Sequence, residues 1–171
     1  MKMACLSLTF LSLILFFSSF NSVSSSILED YCHIIQDTYV DPKLCIELLS
    51  TDPRTKTATD VHTLTLISVD IVISKAEAVA ARAKSLVGKA EAGSLAKQQA
   101  EAAVEIFNEL VASLKWAKGL VADKKYAPAA AVLFVAWHAE SLTGGAADLV
   151  DVGTQFFNAA YISAALAAHT K

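Results

Sequence analysis

Apolar residues recur at alternating steps of three and four over four long stretches of this chain, the spacing that gathers side chains on one face of an α-helix. The first stretch predicts a helix from about Asp60 to Val87, with Leu66, Val69, Ile73, Ala76, Ala80, Ala83 and Val87 as its seam. Gly88 and Gly93 bracket a turn, and Ser94 is placed to cap a second helix whose seam is Ala103, Ile106, Leu110, Ser113, Ala117 and Leu120. After the polar connection Asp123-Lys124-Lys125-Tyr126, Pro128 sits where a first-turn proline is tolerated. Ala129 to Leu142 then run almost without charge, which predicts the most deeply buried helix of the set. Gly144-Gly145 ends it, and Leu149, Val152, Phe156, Ala159 and Leu166 mark a last helix. No stretch alternates apolar and polar residues as a half-buried strand does, so the fold class is all-α. Short connections between long amphipathic helices favour antiparallel neighbours, giving an up-and-down four-helix bundle over residues 58–171.

The chain ahead of the bundle follows a different pattern. Met1 and Lys2 precede an apolar run from Met3 to Phe20, and Asn21 to Ser26 are small or polar. This is the pattern of a secretory leader, expected to span 1–26 and to be removed near Ser26. The run is short for a membrane span and lacks a basic flank, so no membrane is expected for the mature form. The next segment, 27–57, predicts a helical hairpin. Cys32 and Cys45 stand on either side of a short turn, and Asp52-Pro53-Arg54-Thr55 is a break after which Thr57 or Thr59 can cap the first long helix. Cys5 leaves with the leader, which leaves an even pair of cysteines in an oxidising compartment. A bridge between Cys32 and Cys45 is the expected reading, against free buried thiols or a metal site. Metal is the weakest of these, because His33 beside Cys32 does not supply the paired short spacings that zinc requires.

Removing the leader leaves about 145 residues, enough for one domain with a continuous core. The 14 Lys and Arg against 17 Asp and Glu give a net charge of −3, which becomes about −4 once Lys2 is gone. A mildly acidic, unclustered balance carries no footprint for nucleic acid or an anionic membrane. The sequence holds no glycine-rich phosphate loop, nucleophile elbow or His-Glu-x-x-His, so neither a catalytic residue nor a cofactor is expected. Glu101, Glu105 and Glu109, spaced by four, lack the Glu-x-x-His partners of a di-iron bundle and read as a solvated stripe. His138 reads as a satisfied core or boundary histidine, and Phe107, Trp116, Phe156 and Phe157 as core or boundary packing.

Leu44-Cys45-Ile46-Glu47-Leu48-Leu49-Ser50-Thr51-Asp52-Pro53-Arg54-Thr55, followed by Ala58-Thr59-Asp60 and Leu64, resembles the start of the plant invertase and pectin methylesterase inhibitors. The likeness continues at Glu105-x-Phe107 and at Lys124-Lys125-Tyr126-Ala127-Pro128-Ala129. It implies a non-catalytic helical hairpin on a four-helix bundle, secreted to the cell wall (apoplast) or the vacuole, that blocks pectin methylesterase or acid invertase by one-to-one binding. The family's second disulfide would join the positions of Ala103 and Thr143, and neither is cysteine here. In the chain-entropy account a bridge closing about 41 residues is worth roughly 4 kcal/mol, and the retained one, closing about 14, roughly 3. The resemblance thus implies lower thermal stability than four-cysteine relatives, or assembly that compensates. Family members that act on invertase share a Pro-Lys-Phe loop whose lysine enters the enzyme's acidic sugar pocket, and Lys124, Lys125 and Tyr126 correspond to it as target-binding candidates. Lys124 stands where the family has a stiffening proline. Members that act on pectin methylesterase lay faces of their middle helices over the enzyme's cleft. The alternative from a different class is a secreted bundle of the same ancestry that inhibits neither enzyme and binds another protein or a small apolar ligand.

Overall fold

The computed structural model describes residues 25–36, 40–139 and 147–171. The leader up to residue 24, the Gly144-Gly145 break and Thr143 lie outside the described residues. Six α-helices are present among them: α1 Ser25–Ile34, α2 Pro42–Leu49, α3 Val61–Val87, α4 Leu95–Ala122, α5 Tyr126–His138 and α6 Val150–His169. Short 3-10 turns cover Pro53–Thr57 and Ala147–Leu149, and no described residue is in a strand.

The helices start where short acceptor side chains can serve backbone N–H groups that have no partner within the helix. Asp41 Oδ1 accepts from Lys43 N at 2.9 Å, with Pro42 in the first helical turn of α2. Asp60 caps α3 by accepting from Thr63 N at 2.8 Å, displacing the expected Thr57 and Thr59. A carboxylate also suits the positive end of the helix dipole better than a hydroxyl does. Ser94 caps α4 as expected, accepting from Lys97 N at 3.2 Å, after Gly93 turns the chain at φ +77°.

α3 to α6 form an antiparallel bundle in which each helix packs on its neighbour in sequence and α6 closes back on α3. The directions can be read from side-chain pairs. Lys115 and Lys118 of α4 meet Glu77 and Asp70 of α3 at 3.3 and 2.6 Å, so rising numbers on one helix face falling numbers on the other. Lys75 of α3 reaches Gln155 of α6 at 2.8 Å, and Thr65 meets Thr170 at 3.1 Å, giving the same antiparallel sense. The core between them is lined by alanine on every helix, including Ala76, Ala117, Ala129, Ala136, Ala159 and Ala160. Phe107 of α4 and Phe156 of α6 fill the space this leaves, both fully buried and edge to face at 5.3 Å.

The predicted seam of α3 holds in its middle, with Val69, Ile73, Ala76 and Ala83 buried, and Leu66, Ala80 and Val87 at its margin. On α4 the seam is turned by about one residue. Phe107, Leu114 and Val121 are buried with Ala103 and Ala117, whereas Ser113 is exposed. Phe107 and Leu114 are larger than the alternatives, and they set the rotation. The charge-free helix is not the deepest. α5 buries Tyr126, Ala129, Ala130, Leu133 and Ala136 but exposes Val135, while α6 buries Gly153 and ten other residues along its length. α6 touches both α3 and α5 and receives the N-terminal hairpin nearby, through Leu44 beside Phe157 and Tyr161, so it has less surface left for solvent.

The hairpin is joined to the bundle by covalent, apolar and ionic links. Cys32 and Cys45 form a disulfide with Cα atoms 5.7 Å apart, and both are wholly buried with Ile35, Val40 and Leu49. The break at Asp52-Pro53-Arg54-Thr55 forms the 3-10 turn, in which Thr55 is buried and donates to Leu49 O at 2.7 Å. Arg54 grips Asp52 with Nε and Nη2 and reaches Asp70 on α3 with Nη1 at 3.0 Å; Asp70 also receives Lys118 from α4. Hydrogen bonds from Arg54 hold the Asp52 carboxyl below the usual carboxylate range, the Thr63 backbone and hydroxyl do the same for Asp60, and Asp52 together with Asp70 raises Arg54.

Two consequences for stability can be measured. Both aspartates bind protons less readily folded than unfolded, so their contribution is present above the ordinary carboxylate value, about 3.9, and is lost as pH falls through the lower folded values. The melting temperature should therefore hold between about pH 7 and 5 and fall below about pH 4, with a shallower acid limb in Asp52→Asn. Ser163 Oγ on α6 is the buried side-chain polar atom left without a partner among the described residues. Ser163→Ala should raise stability by about 1 kcal/mol in urea unfolding, because an unsatisfied hydroxyl is removed from the core.

Candidate target-binding loop

The connection between α4 and α5 is three residues long, and its shape is set by the end of α4. Lys125 N donates to Leu120 O at 2.7 Å and Lys124 N to Val121 O at 2.9 Å. These two bonds satisfy carbonyls at the helix end in the Schellman arrangement, which requires a left-handed residue just past the cap. Lys124 is that residue, at φ +59°, the one described non-glycine residue with positive φ. A proline could not stand here, since its ring fixes φ near −65° and it has no N–H to donate. Lys124 is therefore not a loosened version of a proline loop. The loop is stiffened by backbone hydrogen bonds and a left-handed turn.

The three sequence candidates separate in this geometry. Lys124 and Lys125 are exposed, and Lys125 Nζ lies 3.1 Å from the equally exposed Asp123 carboxylate. Tyr126 turns inward, 8% exposed, and its hydroxyl meets His62 Nδ1 of α3 at 2.9 Å, with the two rings edge to face at 6.0 Å. It anchors the base of the loop while the lysines project. Nothing local in the sequence points to His62 as the partner of a tyrosine 64 residues away. A buried tyrosine hydroxyl does require one.

Other candidates occupy the positions their surroundings allow. Glu101, Glu105 and Glu109 are all exposed on α4. His138 is exposed and its Nδ1 lies 2.8 Å from Phe134 O, a backbone-satisfied boundary residue. Phe107, Phe156 and Phe157 are in the core as expected. Trp116 is not: it is 60% exposed, because the rotated seam of α4 turns it outward. Ala103 occupies the place of one half of the family's second bridge, buried in a small satellite cluster with Ala83 and Leu149. A cavity of about 220 Å³ lies between the hairpin and the bundle, lined by Leu44, Trp137, Phe157, Tyr161 and Ile162. It is smaller than the roughly 300–1,000 Å³ of typical ligand pockets. An open groove of about 580 Å³ between α3 and α4 is crossed by the Glu77–Lys115 ion pair and also lined by Lys84, Glu101 and Asn108.

A disulfide-tied helical hairpin on an antiparallel four-helix bundle is the scaffold that the described residues form. Residues 26–168 match the family model for plant invertase/pectin methylesterase inhibitors, and the chain belongs to that family. Comparison with individually characterised proteins finds no match. The family is one of inhibitors. None of the described helices is long and apolar enough to cross a membrane.

The left-handed residue is directly testable. Lys124→Gly should stabilise the fold by up to about 1 kcal/mol, since a side chain in this conformation costs about 1–2 kcal/mol that glycine does not incur. Lys124→Pro should destabilise it by about 3 kcal/mol. Equal stability of the proline variant in chemical denaturation would refute the assigned loop geometry.

Proposed function

We propose that this chain is a secreted inhibitor that binds pectin methylesterase or acid invertase in a one-to-one complex over the enzyme's active site. The observation that carries the reading is the pair Lys124 and Lys125, projecting from a turn whose backbone is fixed by two hydrogen bonds and whose base is anchored by Tyr126 and His62. A backbone already fixed loses little freedom on binding, which leaves only the lysine side chains to be ordered. A retaining glycosidase holds two carboxylates about 5 Å apart in its sugar pocket, and a lysine ammonium can pair with them without being turned over. Tyr126 serves this by holding the loop, and the lysines make the contact. Secretion to the cell wall, or to the vacuole, follows from the leader at 1–26, with the hairpin at 27–57 and the bundle at 58–171 forming one inhibitor unit from residue 27.

The mature protein, titrated in stoichiometric excess against both enzymes at mildly acid pH, should inhibit one of them with a sharp equivalence point. Lys125→Ala should weaken that inhibition at least about tenfold, since truncating one partner of a buried charge pair costs about 2–5 kcal/mol. Folded protein that inhibits neither enzyme would refute the proposal. Mass spectrometry of the secreted material should find an N-terminus near Ile27.

A further inference from the structure

α5 contains no Asp, Glu, Lys or Arg, yet it is an outer helix of the bundle. Its solvent face is made of Ala127, Pro128, Ala131 and Val135, all exposed, with Val135 at 70%; His138 ends that face. A helix that is apolar all round belongs in an interior, and an exposed apolar face of this kind marks a contact with another molecule.

The face continues onto α4. Lys115 and Lys118 define the flank of α4 that meets α3, and Trp116, a further 100° round from Lys115, is turned away from it. On α5, Phe134 and Trp137 meet Tyr161 of α6, and Val135, one residue on from Phe134, is likewise turned away from α6. Trp116 and Val135 thus both stand on the outward side of two adjacent helices, 60% and 70% exposed. Small side chains flank Trp116: Ala112, Ser113 and Gly119 are all exposed and leave its ring proud of the surface.

The charges around this face match a reversed copy of itself. Glu109 lies seven residues before Trp116, roughly 10 Å along the helix axis, and Lys124 lies on the other side of Trp116, just past the end of the helix. Glu109 and Lys124 are both exposed, and neither takes part in an ion pair among the described residues. A two-fold axis level with Trp116 therefore brings Lys124 of each copy opposite Glu109 of the other. Isologous pairing of this kind is the commonest form of self-association. We propose that the α4–α5 face is a contact between two copies of this chain, packed antiparallel about an axis level with Trp116. Trp116 and Val135 form its apolar centre, the Lys124–Glu109 pairs fix its direction, and the dimer therefore competes with the one-to-one enzyme complex proposed above for Lys124.

Sedimentation of the mature wild-type chain from about 1 to 500 μM should show a monomer–dimer equilibrium that shifts toward monomer as salt rises from about 0.05 to 0.5 M. Trp116→Lys and, independently, Val135→Lys should raise the dissociation constant at least about tenfold with unchanged circular dichroism. Lys124→Glu and Glu109→Lys should each weaken the dimer, and the double exchange Glu109→Lys with Lys124→Glu should restore it. A chain that stays monomeric throughout at low salt would overturn the proposal. So would a dimer indifferent to both lysine substitutions on the apolar centre, or a charge exchange that fails to restore association.

Discussion

Close packing of alanine-lined helices around a few aromatic rings is the constraint on which the molecule depends. Alanine at inward positions on all four bundle helices lets their axes approach, and it supplies too little bulk to fill the centre unaided. Phe107 and Phe156 occupy that centre from helices that are diagonal to one another, with Phe157 beside Phe156 at 5.3 Å. Their size decides how α4 and α6 are rotated. The rotation of α4 in turn decides that Lys115 and Lys118 reach α3 and that Trp116 faces water.

Element boundaries were legible wherever a local group forces them. Pro53, Gly88, Gly93 and Ser94 fix ends because each has a conformational or hydrogen-bonding property that acts over two or three residues. The start of α3 near Asp60 was legible but its cap was not, because Thr57, Thr59 and Asp60 are all competent caps and only the assembled turn selects the carboxylate. Depth was less legible than position. Alanine and valine without neighbouring charge suggested burial for α5, but burial depends on how many other elements a helix touches, and α6 has more of them. The candidate lysines could be named from the sequence, whereas the left-handed turn that fixes them could not, since glycine is the usual residue at such a position and lysine gives no warning of it.

Ala103 packs with Ala83 and Leu149 in a cluster separate from the main core, at the end of the molecule remote from the hairpin. At the other end Arg54 joins Asp52 on the hairpin side to Asp70 on α3, and Lys118 draws α4 into the same network. Ionic links on a partly exposed surface are individually weak, and several converging on one carboxylate hold relative orientation better than any one of them. The two ends of the bundle are thus held by different means, apolar at one and chiefly electrostatic and covalent at the other.

The retained sulfur–sulfur bond has no surface exposed to solvent at either cysteine. Exchange with an external thiol needs a nucleophile to approach one sulfur along the bond axis, and Ile35, Val40 and Leu49 are packed in the same cluster. Reductant in the surroundings can therefore act only during excursions in which α1 and α2 part. The survival time of this bond in reducing medium measures how often the front of the molecule breathes.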